Sequence, residues 1–411
     1  MSGTAASLQT SKATGLADPA WRADVDGLAS ILANAGGELI VAGEFDTIAG
    51  QTRLGIARLD PANAQLGTSA NVAAAGLVWL IQSDGGGGYW VAGRFSRAAG
   101  FARKGLLRLT ADLRVDPDWA PSIIEGSVST VAPDPSTGKL YVGGLFRAEG
   151  DARNLVRVDV ATGAIDLNWH PDPDARVSAL GVHGGTLYAG GDFAQIAGQS
   201  RQRLARFQPG ATLPDPAWLP EPDGEVSALA IGAAGEVYAA GDFTNVGGAP
   251  RNGLARLEPG NGNATAGWNP MATWTGAVRR LQLDGNWLYV NGQYYQGNTY
   301  IGTFRVGTGT GQIGMTYAGG SASNSMWLTP SRAWLITDAP YGGLMRSSPD
   351  TGDVDPDWNT WFDDIVLAIA GEPTDRLIVG GIFGELKLDS ARYWPAGLAV
   401  LSDDVIFSGG F

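Results

Sequence analysis

The chain has 411 residues, a formal charge of −13, 61 Gly, 14 Trp and no Cys. The missing Cys excludes disulfide frameworks, thiolate metal sites and Cys nucleophiles, and so acidic a surface repels phosphate backbones, which argues against nucleic acid and anionic membrane as partners. No run of about 20 apolar residues is present to span a bilayer, and the first 21 residues contain no apolar core of a secretory signal.

Taken in order, residues 1–14 read as an N-terminal tail or a closing strand, and 15–411 as one domain. Asp18-Pro-Ala-Trp21 is the tail of a repeat unit. A Gly-x-aromatic triplet then recurs, its aromatic at Phe45, Phe95, Phe146, Phe193, Phe243, Tyr294 and Phe383, with the first six 47 to 51 residues apart. A decayed copy, Ala339-Pro340-Tyr341, fills the gap before Phe383. A Trp precedes most units, at Trp119, Trp169, Trp218, Trp268 and Trp358; units two and seven lack it. A loop Arg follows the aromatic at Arg53, Arg103, Arg153, Arg201, Arg251 and Arg392, after Gly50, Gly100, Gly150, Gly198 and Gly248 in the first five. Another Arg recurs in the third strand at Arg58, Arg108, Arg157, Arg206, Arg256 and Arg305. In the clearest unit, Val226–Ile231 and Glu236–Phe243 alternate as strands around a Gly232–Gly235 turn, and Gly253–Leu257 is a third strand.

Markers in phase over most of the chain define a repeat of three or four short strands, too small to bury both faces alone. The expected fold is all-β: a single closed β-propeller of eight blades, about 50 residues each, or seven if the copy at 339–341 only bridges two blades. An open β-solenoid is the alternative, but its turns are shorter, about 20–30 residues.

The recurring residues read as structural, since a catalytic residue should be singular. Gly supplies the dihedrals of a sharp bend. The aromatic packs between blades, and Asp-Pro-x-Trp turns a Trp back onto the sheet. The loop Arg is a buried or half-buried anchor donating to carbonyls.

The segments LIVAGEFDTIAGQTRLGIARLDP, LYAGGDFAQIAGQSRQRLARFQP and VYAAGDFTNVGGAPRNGLARLEP resemble the bacterial delta-60 repeat family of β-propellers. The resemblance covers residues 15 to about 260 and part of 376–401, and lapses across 270–345. It implies a propeller in large surface, secreted or phage-associated proteins, commonly without an enzymatic activity. It supplies no catalytic residues.

Only two His occur, His170 and His183, both in turn-like segments; a Ser-His-Asp triad or a His metal centre is not expected. Carboxylates are plentiful but fall mainly in turns. Asp353, Asp355 and Asp357 have the alternating oxygens of a calcium loop, yet lack its glycine and distal Glu and overlap a repeated turn. No cofactor is expected, with calcium there the weaker reading.

These observations favour a non-enzymatic structural or interaction module of adhesion type, on a cell surface, a secreted product or a phage virion, binding protein or glycan. The alternative is a carbohydrate-active enzyme with a carboxylate pair in the propeller channel. Residues 268–345 abandon the repeat while gaining aromatics, so Trp274, Tyr295 and Tyr300 are the candidate docking residues. Against that stands simple drift, with the new aromatics filling the core.

Overall fold

The computed structural model describes residues 23–35, 38–67, 72, 74, 76–317, 326–328, 335–339, 343–355, 360–362, 366–371, 377–381, 386–388, 391–393 and 398–401. Phe383, Asp357 and Trp358 lie outside them, as does the side chain of Arg392. Helix among the described residues amounts to one 3-10 turn, Glu149–Asp151.

Each repeat folds as an antiparallel meander. In the clearest unit, Val226–Ile231 pairs with Val237–Gly241, which pairs with Leu254–Leu257. The alternation of branched and small residues suits both faces to packing. Leu28–Ala35, Glu38–Glu44 and Ile56–Leu59 do the same, as do Gly76–Ser83, Tyr89–Phe95 and Leu106–Leu109. So do Ile123–Asp134, Lys139–Ala148 and Arg153–Asp159, and then Val177–His183, Thr186–Gly191 and Leu204–Phe207. Trp274–Asp284, Trp287–Gln296, Thr299–Gly307 and Ile313–Tyr317 form a four-stranded sheet. Met326–Leu328, Leu335–Ala339 and Gly343–Ser347 continue through Thr360–Phe362 into the hairpin Leu386–Leu388 and Ala391–Tyr393. Val366–Gly371, Leu377–Gly381 and Leu398–Leu401 make the last sheet.

The first strand of each of these three- and four-stranded sheets is an edge strand, and first strands of successive sheets lie side by side through Trp274–Asp284. Leu28–Ala35 also packs on Val366–Gly371 and Leu377–Gly381, which brings the two ends of the described chain together. The core lies between neighbouring sheets. Trp90 and Leu106 of one sheet meet Trp119, Phe146 and Val156 of the next, and Phe45 sits in a cluster with Ile378 and Leu398. Burying such side chains is worth about 1.5–3 kcal/mol each.

The triplet glycine has a reason other than the expected one. Gly241 is not in the left-handed region; a Cβ on it would lie 1.9 Å from the Glu225 carbonyl oxygen. That close approach occurs beside a bulge between Val226 and Ala228, where the ladder is displaced and two backbones crowd. The dihedral reason applies instead to the loop glycine: Gly248 has φ +73° and open space around it.

Candidate functional site

The repeated polar residues hold the sheets in place. Arg251 is buried at 7% exposure; its Nη1 donates to Pro250 O at 2.8 Å and its Nη2 to Thr265 O at 2.9 Å. Arg103 donates to Ala102 O, Asp116 O and Pro117 O, and Arg201 to Ser200 O and Asp215 O. Burial lowers the pKa of Arg251 and of Arg103. Arg53 is half-buried and donates to Thr52 O. Arg153 departs from the expected anchor, because its side chain is exposed. Its neighbour Asn154 is buried instead, accepting from Phe146 N and donating to Pro173 O. Asn154 reaches a carbonyl 19 residues on, as Asn252 does at Met271 O, and not the one 13 or 14 residues on that the buried Arg residues reach.

The repeated Trp rings are buried, and each indole N–H reaches an outer-turn carbonyl 39 to 42 residues on: Trp119 to Val160, Trp169 to Ala211, Trp218 to Glu258, Trp268 to Gly307. The third-strand Arg lies over the ring and pairs with the Asp that starts the Trp turn. Arg206 is 2.7 Å from Asp215 and 5.4 Å from the Trp218 ring centroid; Arg157 stands likewise between Asp166 and Trp169.

Phe45, Phe95, Phe146, Phe193 and Phe243 are all buried. Asp residues outside the recognised motifs hold the loops behind several of them. Asp26, Asp174 and Asp223 each accept two consecutive backbone N–H groups from the loop after the triplet. Burial opposes the charge on Asp223, but hydrogen bonds from Asn245 and Thr244 outweigh it and hold the carboxyl well below the usual range.

Among the described residues, two places open to a ligand bear on the site. The first is a cavity of about 340 Å3 between first strands, lined by Ser30, Ile31, Leu32, Trp79–Gln82, Arg280 and Leu367–Ile369. The bulge in each first strand skips one residue: Ser30, Trp79, Ser129, Ser178, Ser227, Arg279 and Leu367. Several of these side chains tie sheet to sheet. Trp79 Nε1 donates to Val128 O at 2.7 Å, Ser227 Oγ to Val278 O at 3.0 Å and Ser178 Oγ to Glu225 at 2.7 Å. Arg280 lines the cavity with its side chain exposed, and desolvation by the protein around it lowers its pKa. No motif in the sequence marks these positions; their place in the bulge is visible only from the strand register.

The second place is the face of the small two-stranded hairpins Thr47–Ile48/Gln51–Thr52, Arg97–Ala98/Phe101–Ala102, Gln195–Ile196/Gln199–Ser200 and Asn245–Val246/Ala249–Pro250. In the irregular sector the long strands stay paired, past an irregularity between Asn291 and Tyr294, up to the hairpin tip, with Tyr295 opposite Tyr300. Tyr295 is 46% exposed and Tyr300 half-buried, their rings 5.4 Å apart, edge to face. Trp274 is not with them. It is 3% exposed, between Tyr294 and Phe304 in the core, so its ring is closed to a ligand. Tyr289 and Tyr317 are buried too; Trp334 and the Trp327 side chain lie outside the described residues.

Asp355 forms a largely buried ion pair with Arg346, while Asp353 is exposed. A guanidinium thus holds one oxygen of the candidate calcium set. Among the described residues no group of three or more His, Asp or Glu is placed to hold a metal, and no helix is long and apolar enough to cross a membrane. His170 is exposed and 2.8 Å from Asp172.

A family model described as a β-propeller domain of unknown function (DUF5122) matches residues 37–63, 90–118, 185–213 and 235–264. No curated protein matches the sequence. Among solved structures, the computationally designed Ika8 protein superposes with TM-score 0.58 at 13% identity, covering 95% of this chain and 99% of that one. The WD40 β-propeller domain of Doa1 gives 0.44 at 11% identity over 98% of each chain. The Neurospora crassa Pan2 WD40 domain gives 0.46 at 11% identity, covering 92% of this chain and 90% of its own. The chain is an all-β repeat protein, and the four matched units support a β-propeller repeat family.

Proposed function

We infer that the chain is a non-enzymatic interaction module: one domain over 15–411, with 1–14 as a tail or closing strand, closed into a ring of eight blades. It binds protein or glycan in a surface, secreted or virion setting, without a cofactor. The cavity lining carries this reading. Its described side chains are apolar or neutral apart from Arg280, and none is a carboxylate. A channel glycosidase needs two, about 5–9.5 Å apart across the scissile bond. Packing of the first sheet on the last supports closure.

The hairpin tip is the docking element on the irregular side. Tyr295→Ala with Tyr300→Ala should weaken capture on a glycan or protein array at least about fivefold, as loss of an aromatic anchor does, with the melting temperature within about 1 °C of wild type, as for surface positions. A large stability loss with capture intact would place these rings in the core. Hydrolysis of aryl glycosides, abolished by a single Asp or Glu substitution, would establish the enzyme instead.

A further inference from the structure

One sector of the hairpin face breaks the repeat in charge. Arg94 holds the middle of its triplet, where other described units have Glu44, Leu145, Asp192, Asp242 and Gln293. Arg97 opens the small hairpin of the same unit, where three others have Thr47, Gln195 and Asn245. Lys104 follows the loop Arg, where others have Leu54, Asn154, Gln202 and Asn252. All three cations are exposed. A lone surface cation aids solubility; cations at three equivalent places of a single unit, in a chain of net charge −13, make a local positive field.

Arg94 and Lys104 share a pocket of about 290 Å3 with Phe95, Ser96, Ile124, Glu125 and Gly126. Lys104 Nζ donates to Ile124 O at 2.5 Å, which fixes the ammonium at the pocket wall. Glu125 is the acid of this lining and stands 3.9 Å from Arg147. The surroundings are apolar to a degree unusual for an exposed face. Ile124 is 42% exposed, Leu145 46%, and Phe101, in the hairpin with Arg97, 40%. Leu145 lies on the strand paired with this wall, opposite Ser127, next to the pocket residue Gly126.

Cations interleaved with open aliphatic groups suit a ligand that alternates carboxylates with apolar side chains. We propose that this sector docks an acidic, leucine-like peptide segment of a partner protein, its carboxylate in the pocket shared by Arg94 and Lys104 and its apolar side chain on Ile124 and Leu145. The proposal rests on the reading as an interaction module and adds the surface and the partner's chemistry.

The test is fluorescence anisotropy of the full chain with a labelled peptide of alternating Glu and Leu. An all-Glu peptide, a Lys–Leu peptide and a single-stranded oligonucleotide serve as competitors. The Glu–Leu peptide should bind, weaken steeply between about 50 mM and 500 mM salt, and outcompete the other three. Arg94→Glu with Arg97→Glu should weaken it at least about tenfold, as should Leu145→Ser, at unchanged melting temperature. No binding near 1 mM, binding indifferent to the charge reversal, or preference for the oligonucleotide would overturn the docking surface. In those cases capture through Tyr295 would still uphold the interaction module, whereas carboxylate-dependent glycoside hydrolysis would remove the module whatever the peptide does.

Discussion

Replacing Arg251 by Ala removes both donors to Pro250 O and Thr265 O. Each acceptor keeps a second donor, Asn269 Nδ2 at Pro250 O and Trp268 N at Thr265 O, so the loss is two hydrogen bonds from a charged group, about 1.5–3 kcal/mol apiece before compensation. Because water can follow the truncated side chain into part of the space, a total of about 2–3 kcal/mol is expected. Unfolding entropy is about 2.1 cal/mol/K per residue, so a cooperative unit of 411 residues changes by roughly 0.9 kcal/mol per degree. The melting temperature should fall by about 2–3 °C, and the urea midpoint with it at unchanged slope. Arg251→Lys should recover only part, since an ammonium does not reproduce the fork. Arg153→Ala is the internal control: same sequence position, exposed side chain, and an expected loss below about 0.5 kcal/mol. Equal losses at Arg251 and Arg153, or none at either, would refute the anchor role.

Gly241→Ala should cost more than Gly248→Ala, because the first forces two backbones apart while the second adds only left-handed strain of about 1–2 kcal/mol; the reverse order in urea melts would mean the bulge can relax. Acid should destabilise the fold in a defined window. Lys139 and the Thr162 backbone hold the Asp159 carboxyl at about 2, and Asp26 and Asp223 are also lowered. Groups depressed in the folded state stabilise it above their unfolded value near 3.8 and lose that contribution as pH falls through the folded value. The melting temperature should therefore drop between about pH 4 and pH 2, and Asp223→Asn should flatten the drop; an unchanged profile would show that these hydrogen bonds persist on protonation.

The architecture was legible because its markers recur. Phe243, Trp218 and Arg206 repeat at one spacing, and only a stacked fold gives the same residue the same surroundings many times over. What escaped the sequence depends on register or on neighbouring sheets. The bulge that places Trp79 toward the cavity shifts a ladder by one residue and leaves no mark in composition. Arg153 fits the anchor pattern in letter and spacing, and only the structure shows its side chain turned to solvent. Trp274 and Tyr295 lie in the same aromatic-rich stretch, one closed in by Phe304 and the other open at a hairpin tip. Hydrophobicity alone does not separate them.

The pairing of Phe45 with Ile378 and Leu398 bears on how the protein is made. Each indole finds its carbonyl within some 40 residues, about 2–8 s of synthesis at usual elongation rates. The Phe45 cluster must wait for residues more than 300 positions later, on the order of half a minute. Through that interval the first sheet presents an unsealed apolar flank to solvent, while the sheets behind it are already sheltered. Chaperones that recognise nascent apolar surface would meet this protein at its earliest-made sheet, and premature termination anywhere before Ile378 would leave that flank uncovered for good.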